Sequence, residues 1–329
     1  MERIIVIGAG SWGTAFSYHL ARKGLKINLW VREPELYNEI KSKRENTWFL
    51  PGVKLPPEIR PFNDLEFLKK EQDAIVFLAV PSKYMRDVLR NFPVRPGFVV
   101  SLTKGIEAST LSRMSDVVRE ELGMVNYAVI SGPSFAREVA AGSPTVILVA
   151  SRERGFAEKI QNLISDRYLR AYTSDDVLGV EMCGAIKNVI AIAAGTVDGL
   201  GFGHNTLAAL IVRGIAEMKR LVNAMGGQPE TVSGIAGVGD LVLTATGKLS
   251  RNRKVGYELG QGRDLEEILS SMKMVAEGVE TSRAIVRLAE KYSVEMPISE
   301  KVFEVLFKGK SPKQAIIELM TRRLKGENE

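Results

Sequence analysis

Ile4-Ile5-Val6-Ile7-Gly8-Ala9-Gly10-Ser11-Trp12-Gly13 carries an apolar strand straight into the pattern G-x-G-x-x-G. A strand that hands over to a helix through three glycines leaves backbone N–H groups and a helix N-terminus bare, so a pyrophosphate can approach where a side chain would block it. The pattern alone is weak; its surroundings give it weight. Thr14 to Arg22 reads as an amphipathic helix, Lys23-Gly24 as its stop, and Lys26 to Val31 as the second strand of a βαβ unit. Gly8, Gly10, Ser11, Trp12 and Gly13 are therefore expected to line a dinucleotide site.

The end of the second strand selects the dinucleotide. An NAD-only site usually places Asp or Glu there to take the ribose 2′-hydroxyl. This chain places Val31-Arg32, followed by Glu33. Arginine is a planar donor that suits a 2′-phosphate or the adenine face, so NADP(H) is expected to fit at least as well as NAD(H). Glu33 could reach a hydroxyl or pair with Arg32.

Hydrophobic runs alternate with helical patterns through the first half, the signature of a mostly parallel sheet covered on both faces. Asp73 to Val80 ends at Pro81, Gly97 to Leu102 leads into Thr103-Lys104-Gly105, and Tyr127 to Ile130 leads into Ser131-Gly132-Pro133-Ser134. Ligands in such sheets sit beyond the C-terminal strand ends, so these loops should border one crevice with the glycines. Val146 to Ala150 and Leu169 to Tyr172 add two strands. From about Asp175 helical patterns take over: Asp176 to Asp198, Thr206 to Met225, Asp264 to Met272, Thr281 to Tyr292, Pro297 to Phe307 and Ser311 to Arg323. The expected architecture is an α/β Rossmann-type doubly wound domain over 1–174 followed by an all-α domain over 175–329, with Lys325 to Glu329 a frayed tail.

Composition narrows the function classes. With 45% hydrophobic and 26% charged residues the chain has the make-up of an ordinary globular protein. One cysteine, Cys183, excludes an intrachain disulfide, and two histidines leave too few ligands for a structural zinc, so no metal is expected. Met1-Glu2-Arg3 leads directly into the first strand without a signal segment, and Val189 to Val197 is shorter than a membrane span. A cytoplasmic protein with no membrane partner is the expectation. The net charge of +6 is spread along the chain. It suits phosphorylated ligands as well as nucleic acid, and no nucleic-acid module is visible.

Hydride chemistry at a carbon bearing oxygen needs a group to exchange the oxygen's proton. His19 lies behind the phosphate loop and His204 in a Gly-rich loop, where capping or surface roles suit it. Lys187 is the stronger candidate because it sits in the most apolar helix, Gly184-Ala185-Ile186-Lys187-Asn188-Val189-Ile190-Ala191-Ile192. A charge there is costly without a partner, and desolvation lowers a lysine's pKa toward the range useful for proton exchange. Snorkelling to solvent is the alternative. Asp240, in the Gly-rich turn 234–241, is a plausible counter-charge or else a helix cap. Gly247-Lys248-Leu249-Ser250-Arg251-Asn252-Arg253-Lys254 concentrates four cations in eight residues, a clamp for a substrate phosphate or a solvated basic loop.

Six ordered motifs resemble the soluble NAD(P)-dependent glycerol-3-phosphate dehydrogenases over essentially the whole chain. They are 8–15, Thr103-Lys104-Gly105, 131–136, 184–189, 237–241 and Ser250-Arg251-Asn252-Arg253. The resemblance implies interconversion of dihydroxyacetone phosphate and sn-glycerol 3-phosphate, supplying glycerophospholipid synthesis, in a homodimer. It implies Lys187 as proton donor and acceptor, with Lys104 and Asp240 as further catalytic residues. Substrate contacts would come from Lys104, Gly132, Ser134, Lys187, Asn188, Asp240, Ser250, Arg251 and Asn252. Cofactor contacts would come from Ser11, Trp12, Arg32, Lys104, Ala136, Arg251, Val275 and Glu277. The 3-hydroxyacid and 6-phosphogluconate dehydrogenases share this general plan, but carry an asparagine four residues after the lysine, where this chain has Ala191. A dinucleotide sensor without catalysis is the rival from another class.

Overall fold

The computed structural model describes residues 2–71, 73–272, 274–324 and 326–327. Three residues of the expected frayed tail, Lys325, Asn328 and Glu329, lie outside the described residues. Among the described residues, eight strands form the main sheet: β1 Ile4–Ile7, β2 Ile27–Trp30, β3 Ile59–Phe62, β4 Ile75–Leu78, β5 Phe98–Ser101, β6 Asn126–Ser131, β7 Thr145–Ala150 and β8 Leu169–Ser174. Their order is β8-β7-β6-β5-β4-β1-β2-β3. All neighbours run parallel except β6 and β7. The order reverses between β1 and β4, and such a switch point opens a crevice beyond the carboxyl ends of the strands.

The strand β1 shows how the sequence builds two layers. Ile4 and Val6 face one core with Phe16, Leu20 and Phe77, whereas Ile5 and Ile7 face the other with Met85, Leu89 and Val117. Period-two alternation in a continuous apolar run thus serves two buried faces. Helices α1 (Ser11–Arg22), α2 (Pro34–Lys43), α3 (Ser82–Arg90), α4 (Met114–Leu122), α5 (Ala136–Ala141) and α6 (Arg154–Ile164) connect the strands.

The helical half is organised round α7 (Val177–Gly199), capped by Asp176, whose Oδ1 accepts from Gly179 N at 2.8 Å. Helices α8 (His204–Ala224), α10 (Asp240–Thr246), α11 (Arg251–Gly260), α13 (Glu277–Lys291) and α14 (Pro297–Phe307) pack on it. Two glycines allow α11 to approach closely: a Cβ on Gly195 would stand 1.9 Å from Arg253 O, and one on Gly256 1.9 Å from Ile192 O. The short helices α9 (Pro229–Ser233), α12 (Leu265–Ser270) and α15 (Pro312–Met320) complete this half among the described residues. A buried carboxylate joins the halves: Glu181 on α7 accepts from Ser115 N (2.7 Å), Ser115 Oγ (2.6 Å), Tyr127 OH (2.8 Å) and Arg113 Nη1 (3.1 Å).

Four features differ from the sequence expectation. The edge strand β3 contains Pro61, tolerable because an edge needs one fewer ladder donor. The apolar stretch of α7 is longer than Val189 to Val197, being 23 residues and apolar enough to cross a membrane, with 89% of its most apolar window buried inside the protein. The Gly-rich turn is a single π-helical turn, Ile235–Gly239, running into α10, and the second half of the basic run, from Arg251, is the first turn of α11.

Candidate active site

The three glycines of the first loop occupy three different environments. A Cβ on Gly8 would stand 2.7 Å from Ala79 O and one on Gly13 2.0 Å from Gly8 O, whereas one on Gly10 would meet nothing within 4 Å. Gly8, at φ +112°, and Gly13 permit close packing of loop, strand and helix, and Gly10 faces open space. This is the division of labour that a pyrophosphate cradle needs. Trp12 Nε1 is buried with no hydrogen-bond partner among the described residues. A dinucleotide fits these features.

At the end of β2, Arg32 donates to Glu33 Oε1 from Nε (3.0 Å) and Nη2 (2.7 Å), and its guanidinium lies 5.5 Å from the Tyr84 ring centroid. Of the two roles open to Glu33, the pairing with Arg32 is the one present. From the helical half, Met274 and Glu277 reach the same crevice. Ser11 Oγ donates to Met274 Sδ at 3.0 Å, and Glu277 accepts from Ser82 N (3.0 Å) and Ser82 Oγ (2.5 Å) at the start of α3. Burial raises the Glu277 pKa, against the Ser82 bonds and Arg251. Val275 is exposed beside them, and Ala136 opens α5.

Three elements converge on one carboxylate. Asp240, the first residue of α10 and 1% exposed, takes Lys187 of α7 on Oδ1 at 2.5 Å and Lys104 of the β5 loop on Oδ2 at 2.7 Å. Lys187 Nζ also donates to Thr244 Oγ1 (3.0 Å), whose hydroxyl donates to Asp240 O (2.6 Å). Lys104 Nζ also donates to Gly132 O (2.8 Å) and approaches Ser134 Oγ at 3.5 Å. Burial pulls Lys187 down to about 7; Asp240 opposes this and Lys104 reinforces it. Burial pushes Asp240 up, yet the two ammonium groups outweigh it and hold the carboxylate below its ordinary range. Of the alternatives open for Lys187, snorkelling is excluded, because its side chain is only 6% exposed.

A second relay adjoins the first. Gly278 N donates to Asn252 Oδ1 (2.9 Å), Asn252 Nδ2 to Asn188 Oδ1 (2.8 Å), and Asn188 Nδ2 to Lys104 O (3.1 Å) and Gly184 O (3.2 Å). The polar atoms of Asn188 are thus engaged by the protein, while Asn252 keeps one N–H free among the described residues. Ser250 caps α11 by accepting from Arg253 N at 3.2 Å. In the basic run, Arg253 pairs with Asp198 and Lys254 with Glu258. Arg251 is exposed at the crevice and has no hydrogen-bonded partner among the described residues.

Ser82, Thr244 and Met274 were not anticipated. Thr244 lies four residues after Asp240, one helical turn on, and Ser82 follows Pro81 at a strand end, so both had a legible signal. Met274 had none.

Residues 3–157 match the family described as NAD-dependent glycerol-3-phosphate dehydrogenase N-terminus, and 176–317 the corresponding C-terminus. The chain belongs to the NAD-dependent glycerol-3-phosphate dehydrogenase family. It is 51% identical to the glycerol-3-phosphate dehydrogenase [NAD(P)+] of Citrifermentans bemidjiense and 52% identical to that of Geobacter sulfurreducens, covering 99% of each chain in both pairs. Among solved structures, the glycerol-3-phosphate dehydrogenase of Coxiella burnetii superposes with a TM-score of 0.93 at 39% identity, with 98% of this chain and 99% of that one covered. Membership of this family makes the protein an NAD(P)-dependent oxidoreductase.

Proposed function

We propose that the protein catalyses the reversible NAD(P)H-dependent reduction of dihydroxyacetone phosphate to sn-glycerol 3-phosphate, with Lys187 as proton donor and acceptor. The observation that carries this reading is the bridge Lys104–Asp240–Lys187 in the crevice that also holds the glycine loop. The named relatives support the substrate, and the glycine environments support the cofactor. The division into a dinucleotide domain, 1–174, and a substrate domain, 175–329, belongs to the same reading.

The dinucleotide supplies hydride to the carbonyl carbon. Lys187 has three N–H bonds, of which Asp240 and Thr244 hold two. The third is free to hand its proton to the carbonyl oxygen as that oxygen gains charge, and in the reverse direction neutral Lys187 takes the alcohol proton. Lys104 stabilises charge developing on the same oxygen, and Asp240 holds both ammonium groups in place. Arg251 and the free N–H of Asn252 hold the phosphate so that the ketone keeps its orientation, with Gly132, Ser134 and Ser250 shaping the pocket. Physiologically, the reading is cytoplasmic supply of glycerol 3-phosphate for glycerophospholipids, by a homodimer.

The test is oxidation of NADPH and NADH by the purified protein, followed by nicotinamide absorbance, with dihydroxyacetone phosphate and with dihydroxyacetone. Turnover restricted to the phosphorylated ketone is expected. Dinucleotide binding without turnover would instead favour a sensor.

A further inference from the structure

The phosphate loop is braced from behind by a hairpin. Residues Glu45–Asn46 pair antiparallel with Leu50–Lys54, and Leu50 and Val53 cluster with Trp12 and Ala15 at the start of α1. Asn46 is fully buried. Its Nδ2 donates to Ala9 O and to Thr14 Oγ1, each at 2.8 Å, and its Oδ1 accepts from Phe49 N at 3.0 Å. Thr14 Oγ1 in turn donates to Ala9 O at 3.2 Å. The Ala9 carbonyl therefore accepts two hydrogen bonds, and the three groups close a triangle.

That triangle fixes a peptide plane. In a trans peptide the C=O of one residue and the N–H of the next point in opposite directions. Holding Ala9 O toward Asn46 turns the Gly10 N–H the other way. Gly10 is the position at which a Cβ would meet nothing within 4 Å, and among the described residues its N–H has no partner. A flipped plane would present the Ala9 carbonyl oxygen to an anion in place of a donor.

We infer that Asn46 is a positioning residue for the dinucleotide: it sets the Ala9–Gly10 peptide so that the Gly10 N–H meets the pyrophosphate. This rests on the reading of the glycine loop as a pyrophosphate cradle. Asn46 touches neither the reacting atoms nor the substrate pocket, so its effect is confined to cofactor affinity. Asn46→Asp acts more severely than Asn46→Ala, because a carboxylate in that place faces the Ala9 oxygen instead of donating to it.

The experiment measures NADPH and NADH dissociation constants, kcat at saturating dinucleotide, KM for dihydroxyacetone phosphate and the unfolding midpoint, for wild type, Asn46→Ala, Asn46→Asp and Thr14→Val. Asn46→Ala is expected to weaken both dinucleotides by about tenfold, the loss of one net hydrogen bond's worth of orientation. The kcat and the substrate KM should stay at their wild-type values. Wild-type dinucleotide affinity in Asn46→Ala overturns the inference, and so does a loss spread equally over dinucleotide and substrate. Should the Asn46 variants not fold, Thr14→Val removes the other bond to Ala9 O, and unchanged dinucleotide affinity there overturns the inference as well. Wild-type protein that binds neither dinucleotide would overturn the cradle reading itself, and this inference with it.

Discussion

Lys187 Nζ lies 2.5 Å from Asp240 Oδ1 with 6% and 1% of the two side chains exposed, and the other oxygen of the same carboxylate holds Lys104. One buried anion between two ammonium groups leaves a net positive charge where an alkoxide would develop. Because burial lowers Lys187 to about 7 while the pair of lysines keeps Asp240 ionised, the exchangeable proton belongs to Lys187.

The pH dependence follows in sign from that position. Alcohol oxidation needs neutral Lys187, so kcat/KM for glycerol 3-phosphate should rise with pH through about 7, and ketone reduction should fall across the same interval. Initial rates in both directions across this range check it. Lys187→Ala should abolish the limb and lower kcat by about 10²–10⁴-fold, with dinucleotide binding intact. Opposite limbs that survive in the variant would assign the proton to another group.

Asp240→Asn keeps the shape of the site and removes its only anion among the bonded groups. Both lysines then repel each other without compensation, and Lys187 loses the partner that favours its charged form. The reductive kcat should fall by about 10²-fold or more, and the limb near neutrality should move to lower pH. Steady-state profiles of the variant test this; an unmoved limb would mean that Asp240 does not set the proton affinity of Lys187.

The legible and illegible parts of this structure divide by range. The first βαβ unit, the loop lysine Lys104 and the buried Lys187 were readable because each rests on local pattern: period-two apolar runs, glycines at fixed spacing, a charge in an apolar helix. The joining of Lys104 to Lys187 through Asp240 spans 136 residues along the chain and leaves no local signature. The 45–54 hairpin, the edge strand with Pro61 and the short helix α10 were missed because neither two-residue ladders nor seven-residue helices generate a period. The basic run reads as a loop because its charges hide the Ser250 cap; in the structure two of its four cations pair with acids, and among the described residues Arg251 and Lys248 have no salt-bridged acid partner.

Arg251, which faces Glu277 in the crevice, is the cation of that run predicted to hold the substrate phosphate. Arg251→Ala should raise KM for dihydroxyacetone phosphate by about tenfold or more, a charge-assisted bond's worth of about 1.5–3 kcal/mol. Arg253→Ala, which breaks a pair with Asp198, should leave that KM near the wild-type value. Equal effects of the two substitutions would move the phosphate elsewhere.

Arg32 is held by Glu33 rather than free, which makes the neighbour a handle on cofactor choice. Arg32→Ala should weaken NADPH more than NADH, by about 1–3 kcal/mol if a bond to the 2′-phosphate is lost. Glu33→Gln should act in the opposite sense, releasing the guanidinium and removing a negative charge near the 2′-phosphate. Dissociation constants for both dinucleotides in both variants decide it. Parallel losses for NADPH and NADH in Arg32→Ala would confine that residue to stacking on adenine.

Glu217 on α8 is a buried carboxylate remote from this chemistry. It accepts from Ile298 N (2.5 Å), Ser299 N (3.1 Å) and Ser299 Oγ (2.9 Å), and so closes the N-terminus of α14. Burial pushes its pKa from 4.5 up to about 7, against those bonds. The folded carboxyl then binds its proton more tightly than the unfolded one. Between these two values the native state holds more protons, so this group's contribution to stability falls as pH rises, by at most about 3 kcal/mol. Glu217→Gln keeps one acceptor oxygen in place of the two that receive Ile298 N and Ser299 N, and cannot ionise. Denaturant unfolding of wild type and variant at a series of pH values should show the difference in stability shifting in favour of the variant as pH rises from 5 to 8. A pH-independent difference would mean that the cap, and not the buried charge, is all that Glu217 contributes.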